Sequence, residues 1–162
     1  MLRKLLEDEI NGKLRRNVVT YRSFKERLEE SIAAYLSRSV QSAEVISALI
    51  AMARELRGVD NRAAALGLSD EEVAFYDVLA HGGAGALDVS DPLRALVRDL
   101  VAAIKGTLSI DWTDHESTRA GVRVAVKRVL RRSRLPATDI EALLPTLMEQ
   151  AESLYHDWPM AA

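Results

Sequence analysis

The 162-residue sequence lacks several features that would identify common protein classes. It contains no cysteine, which excludes disulfide bonds, thiolate zinc sites and cysteine nucleophiles. Aromatic residues make up only 5% of the chain and do not alternate with basic residues, so a base-stacking platform is not indicated. No apolar run approaches the roughly 18–20 residues of a membrane span, and the charged N-terminus does not resemble a signal peptide. We therefore expect a cytoplasmic chain.

Common catalytic motifs are also missing. The sequence has no phosphate-binding G-x-x-x-x-G-K-[ST] loop, no G-x-S-x-G elbow and no H-E-x-x-H zinc helix. Many nucleases that cleave DNA place an acid two residues before a catalytic lysine, and no lysine of this chain has such an acid. The sequence therefore predicts a chain with no catalytic, cofactor-binding or metal-binding residues.

The densest polar cluster admits two interpretations. Asp111, Asp114, His115 and Glu116 could form a metal or acid–base site. Alternatively they mark a helix N-terminus, where the helix dipole favours acidic residues. The second interpretation is favoured. The other histidines lie beside predicted helix ends and are interpreted as solvated polar residues; they are His81 and His156.

Composition and periodicity favour an all-α fold. Leu, Ala, Arg and Glu are abundant, and apolar residues recur at three- and four-residue steps. We predict one domain over 1–162, an irregular bundle of about six helices. The predicted helices are 2–16, 23–57, 69–80, 91–105, 114–134 and 139–155.

The segment 23–57 contains neither glycine nor proline and predicts one long helix. Such a helix would be roughly 50 Å long, and the shorter helices would pack around it. Its predicted buried stripe consists of Phe24, Leu28, Ile32, Leu36, Ala43, Ile46, Ile50 and Ala53.

Helix starts and ends carry local signals. Capping boxes, in which Ser or Thr is followed three residues later by Glu, occur at Ser23, Ser69, Thr113 and Thr138. Asp91 followed by Pro92 predicts a further start. A glycine-rich stretch over 82–85 predicts a loop, and Pro145 predicts a kink or a restart in the last helix.

The predicted helix 114–134 combines an apolar stripe with unbalanced positive charge. Every charged residue from 119 to 134 is basic, although the whole chain has a net charge of −2. Like charges four residues apart repel one another, so an acidic partner is expected. It could be acids of the same domain (Asp70, Glu71, Glu72 or Asp77), an acidic protein surface or a phosphate backbone. The candidate contact residues are Arg119, Arg123, Lys127, Arg128, Arg131, Arg132 and Arg134.

Several strings together resemble a known family. They are Arg22-Ser23-Phe24, the run L-S-D-E-E-V-A-F-Y-D over 68–77, I-D-W-T over 110–113, and the basic positions that lead into V-K-R-V-L over 126–130. In this order they resemble the C-terminal helical region of the R (restriction) subunit of type I restriction–modification enzymes. The resemblance extends over nearly the whole chain.

The resemblance implies a C-terminal fragment of a larger multidomain subunit. In that family the R subunit is an ATP-dependent DNA translocase and endonuclease, whose nuclease and motor domains precede this region. The implied role is non-catalytic docking of the motor–nuclease to the methyltransferase and specificity subunits. ATP and Mg²⁺ would then belong only to the missing domains. The alternative is a DNA-binding module whose basic helix contacts duplex phosphates beside the motor.

Overall fold

The computed structural model describes residues 1–81, 91–133 and 135–158. These residues form eight α-helices and a short 3-10 helix, with no strand among them, so the predicted all-α class is confirmed. None of the helices in these ranges is long and apolar enough to cross a membrane. The helices are α1 (Leu2–Lys13), α2 (Val18–Leu36), α3 (Ser42–Asp60), α4 (Arg62–Leu66), α5 (Asp70–His81), α6 (Asp91–Thr107), the 3-10 helix (Trp112–Asp114), α7 (Glu116–Arg132) and α8 (Ala137–Leu154).

The prediction of one continuous helix over 23–57 is corrected, because this segment belongs to two helices, α2 and α3. α2 ends in a Schellman turn: the Arg38 N–H donates to the Tyr35 carbonyl at 3.0 Å, and the Ser39 N–H donates to the Ala34 carbonyl at 3.0 Å. Arg38 has φ 59°, the left-handed conformation that glycine usually supplies at this position. Because α2 ends without a glycine, the sequence carried no signal that predicted the break between α2 and α3.

The break also changes which face of α3 is buried. On a continuous helix Val45 would lie about 100° around the axis from Leu28, so both could not face one core. Because the chain turns between them, both are buried. The buried residues of α3 are Val45, Leu49, Met52 and Leu56.

The predicted buried stripe is therefore wrong at Leu36, Ala43, Ile46 and Ile50, whereas Ala53 is half-buried against the core. Ile46 is 53% exposed, Ile50 is 42% exposed and Leu36 is 71% exposed. Periodicity alone could not separate the two apolar faces of α3, since each repeats at three- and four-residue steps.

One of the predicted capping boxes is confirmed. At the start of α5 the Glu72 N–H donates to Ser69 Oγ at 3.2 Å, and the Ser69 N–H donates to Glu72 Oε1 at 2.8 Å. The other three boxes are wrong. α2 begins at Val18, before Ser23, and its N-cap is Asn17, whose Oδ1 accepts from the Thr20 N–H at 3.1 Å.

The remaining helix starts differ from the capping-box positions by a few residues. α7 begins after His115 and α8 after Pro136, neither with a side-chain cap. α6 begins at Asp91 as predicted. Pro145 is exposed and lies inside α8, which continues past it without a restart. The predicted glycine-rich loop lies outside the described residues.

The helices pack around two hydrophobic clusters. One lies among α1, α2 and α3, and the other contains residues of α5, α6, α7 and α8. In α5 all seven residues from 73 to 79 are buried, and a helix buried on every side is central to its domain. α5 therefore takes the central position predicted for the segment 23–57.

Substitutions on the two faces of α3 test its packing. We expect Leu49→Ala to lower the free energy of unfolding by about 2–5 kcal/mol, because it leaves a cavity in a buried site. Ile46→Ala should change it by no more than about 0.5 kcal/mol, as for most surface substitutions. Urea unfolding of both variants is the measurement. A larger loss for Ile46→Ala would contradict the assigned faces.

Candidate interaction surface

α7 is held in the domain by its apolar stripe. Its buried residues are Val122, Val126, Val129 and Leu130, as the periodicity predicts, and Ala125 is half-buried. These side chains belong to the same cluster as buried residues of α6 and α8. The basic side chains therefore project from the rest of the helix surface.

Three cations of the basic helix are paired with acids of the same domain. Arg119 Nε donates to Glu152 Oε1 on α8 at 2.8 Å, and Lys127 Nζ lies 3.2 Å from Glu141 Oε1, also on α8. Arg123 lies 3.8 Å from Glu116 Oε1 in the first turn of α7. Arg119 and Lys127 connect α7 to α8, whereas the Arg123 pair lies within α7, and all three cations are only partly available to another molecule.

Three of the four acids proposed from the sequence as partners are engaged elsewhere. Glu71 pairs with Lys105 at 2.6 Å, and Asp77 pairs with Arg62 at 2.7 Å. Glu72 lies 4.0 Å from Arg98. The internal partners of the basic helix are acids of α7 and α8, which helical spacing alone did not single out.

The last turns of α7 form the cationic end, defined here as Arg128, Arg131 and Arg132. All three side chains are exposed, and none makes an ion pair with any residue in the described ranges. The negative pole of the helix dipole offsets part of their repulsion. The three arginines, Lys127 and the 54%-exposed Val124 line a shallow groove. The seventh candidate, Arg134, lies outside the described residues.

The acidic cluster before α7 does not converge on one point. Asp111, Asp114, His115 and Glu116 are exposed, and Glu116 turns back toward Arg119 and Arg123. Across the described part of the chain, no group of three or more His, Cys, Asp or Glu residues could hold a metal ion. His156 contacts its neighbour Asp157 at the surface.

A buried carboxylate joins the two hydrophobic clusters. Asp77 on α5 is fully buried, and its Oδ2 accepts from Asn17 Nδ2 and Thr20 Oγ1, each at 2.7 Å. The two terminal guanidinium nitrogens of Arg62, Nη2 and Nη1, donate to the same carboxylate at 2.7 and 2.9 Å. This hydrogen bonding raises the pKa of Arg62, despite the opposing effect of burial. α2, α4 and α5 are thus tied at one point.

Gln150 provides a second buried connection. Its Oε1 accepts from the Val18 N–H at 2.7 Å, which satisfies a free donor of the first turn of α2. Its Nε2 donates to the Arg16 carbonyl at 3.3 Å. Since Gln150 lies on α8, it attaches the start of α2 to the C-terminal helices.

Tyr155 closes the C-terminal end of the domain. Its hydroxyl donates to Glu71 Oε2 at 2.9 Å, and its carbonyl accepts from Trp112 Nε1 at 2.8 Å. Its ring is stacked with Phe75, with the ring centroids 6.3 Å apart. Burial raises the pKa of the Tyr155 hydroxyl well above its usual range, and the Glu71 carboxylate raises this pKa further.

A sequence model of the family described as "Type I restriction enzyme HindI endonuclease subunit-like, C-terminal" matches residues 1–157. The chain belongs to this family.

Two curated relatives match this chain. They are the type I restriction enzyme HindI endonuclease subunit of Haemophilus influenzae and the putative type I restriction enzyme MjaIXP endonuclease subunit of Methanocaldococcus jannaschii. Each is 27% identical over 157 residues, which is 96% of this chain and 15% of the relative. The chain thus spans about one seventh of the length of these relatives. No solved structure matches it.

Most strings that carry the resemblance have structural roles in this member of the type I endonuclease subunit family. The string Arg22-Ser23-Phe24 contributes Arg22, which pairs with Glu149. The run over 68–77 contributes the buried Asp77, together with Glu71 and Phe75, which contact Tyr155. The I-D-W-T string contributes the buried Trp112. The string on α7 contributes the exposed Arg128 to the cationic end.

Sequence reasoning missed the buried network around Asp77. One signal was present: an aspartate inside an otherwise apolar run, V-A-F-Y-D-V-L-A, must find partners if it is buried. Its donors Asn17 and Arg62 lie 60 and 15 residues away, and no local spacing relates them to Asp77.

Removal of the buried carboxylate should be costly. We expect Asp77→Ala to lower the free energy of unfolding by about 3–5 kcal/mol, because it leaves Arg62 and Asn17 without their acceptor. The matched control is Asp60→Ala, which breaks a more exposed pair with Lys13 and should cost at most about 1 kcal/mol. Urea unfolding measures both. Similar losses for the two variants would contradict the proposed role of Asp77.

The raised pKa of Tyr155 predicts a loss of stability in alkali. In the unfolded chain this hydroxyl ionises near pH 10.0, whereas the folded chain keeps it protonated at that pH. The free energy of unfolding therefore decreases as the pH rises above 10.0. Tyr155→Phe cannot ionise, and its free energy of unfolding should fall less steeply above pH 10 than that of the wild type. The exposed Tyr35→Phe serves as the control for the loss of a tyrosine hydroxyl. Equal slopes for all three proteins would contradict the assignment.

Proposed function

We propose that this chain is a non-catalytic assembly domain that docks a type I endonuclease subunit to the methyltransferase and specificity subunits of the same system. Family membership supports the setting, because the curated relatives are named as endonuclease subunits and are several times longer than this chain. Nuclease and motor chemistry, with ATP and Mg²⁺, would then belong to other parts of the subunit. The assembly would act in the cytoplasm.

The observation that carries this proposal is the cationic end of α7. Arg119, Arg123 and Lys127 are paired with acids of the domain, whereas Arg128, Arg131 and Arg132 have no acidic partner in the described ranges. Exposed charges of one sign steer an oppositely charged surface into place and set its orientation. An acidic surface on a partner subunit would offset the repulsion among the three arginines.

The groove beside the arginines favours a protein over a duplex. Val124 is more than half exposed at the edge of this groove, next to Arg128 and Arg131. Protein interfaces commonly combine apolar contact with arginine, whereas phosphate contacts need only donors and charge. The alternative is that the same arginines bind DNA. A measurement of duplex affinity distinguishes this alternative from docking to a protein.

Charge reversal of the cationic end tests docking. The variant Arg128→Glu, Arg131→Glu, Arg132→Glu should bind the cognate methyltransferase core about ten-fold more weakly or worse, because like charges would then face each other. The matched control Lys4→Glu, Arg54→Glu, Arg57→Glu changes the net charge by the same amount on other exposed cations. Its affinity should stay near that of the wild type. Titration calorimetry without DNA gives the three affinities.

The structure determines which cations to change. Arg119, Arg123 and Lys127 are left intact, because their reversal would place like charges against Glu152, Glu116 and Glu141 and disturb the fold. Equal loss in both variants, or no loss in either, would contradict docking through α7. Duplex affinity of the isolated chain would support the DNA alternative if it fell with salt at a log–log slope of about −2.7, the value expected for three phosphate contacts.

A further inference from the structure

One end of the α1–α3 bundle is left uncovered by the unequal lengths of its helices. Lys13 Nζ lies 2.8 Å from Asp60 Oδ1, so the C-terminal ends of α1 and α3 lie side by side. α1 has 12 residues and α3 has 19. At 1.5 Å per residue, α3 extends about 10 Å, roughly two turns, beyond the start of α1.

α2 extends past α1 at the same end. The ion pair of Arg27 with Glu55, at 2.7 Å, sets the register of the antiparallel helices α2 and α3. Nine residues further along α2 and nine residues back along α3, Leu36 and Ile46 come to within about one helical turn of the same level. They are 71% and 53% exposed, and Ile50, one turn nearer to α1, is 42% exposed.

These residues form the open end of the bundle, defined here as Leu36, Ile46 and Ile50. Single exposed apolar residues are ordinary on protein surfaces. Here, however, Leu36 and Ile46 lie on neighbouring helices beyond the start of α1, where the third helix of the bundle is absent, and Ile50 lies level with the first turn of α1. Where α1 is present, its Leu6 and Ile10 cover Phe24, Leu28 and Met52, all of which are buried.

We propose that the open end binds an amphipathic helix from another part of the same endonuclease subunit, which continues the three-helix packing where α1 stops. Its apolar residues would recur at three- and four-residue steps, like those of α1. The length of the relatives supports this occupant, because about six sevenths of each lies outside the matched region. The inference rests on the proposed function only in placing this chain within a longer endonuclease subunit, and it is independent of α7.

Hydrogen–deuterium exchange compares the open end in two contexts. The 162-residue chain and the complete endonuclease subunit that contains it would be exchanged under the same conditions. Amides of residues 33–50 should exchange about ten-fold more slowly or better in the complete subunit, because a bound helix suppresses local opening at an exposed helix end. Unchanged exchange over this segment would overturn the proposal.

A pair of variants in the complete subunit identifies the surface. Ile46→Glu with Ile50→Glu should remove the added protection, since it places charge in the apolar contact. Ser47→Glu with Ala51→Glu has the same spacing on an exposed face directed away from α1, and it should keep the protection. Circular dichroism of the 162-residue chain confirms that both variants fold.

The remaining outcomes are also decisive. Equal loss of protection in both variants would overturn the proposal. Concentration-dependent dimerisation of the 162-residue chain, abolished by Ile46→Glu with Ile50→Glu, would also overturn it, because the open end would then bind a second copy of the chain. Binding to the methyltransferase core reports separately on α7. Loss of core binding in the α7 variant with unchanged exchange at 33–50 would support the proposed function and reject this inference.

Discussion

The buried carboxylate of Asp77 is the constraint on which the domain depends. Two hydrophobic clusters of helices meet here through charge and hydrogen bonds, with Asn17, Thr20 and Arg62 all donating to one side chain. A carboxylate that is removed from water requires these donors, so the positions of α2, α4 and α5 are coupled. This coupling gives the two clusters a defined relative placement that apolar packing alone would specify less sharply.

The placement of α5 and α8 in turn determines what α7 can present. Acids on α8 pair with Arg119 and Lys127, so these two cations of α7 become part of the internal framework. Only the last turns keep exposed cations without an acidic partner in the described ranges.

Local signals predicted features that local chemistry controls. The all-α class, the Ser69–Glu72 capping box and the buried stripe of α7 follow from composition, a three-residue spacing and helical periodicity. The break between α2 and α3 could not be predicted in this way, because Arg38 adopts a left-handed conformation without glycine. The start of α2 after Asn17 could not be predicted in this way either, because its first residues are β-branched and have weak helix propensity. The burial of Val18 and Tyr21 outweighs that weak propensity.

The sequence by itself determined the family, the helical class and the concentration of positive charge on one helix, because each is written in residue type and spacing. Tertiary structure alone decided which face of α3 is buried, which cations of α7 are paired and which helix is central. These depend on residues far apart in the chain, such as Asp77 with Asn17 and Lys127 with Glu141. A helical repeat specifies where a side chain lies around its own axis, but only packing decides what stands opposite.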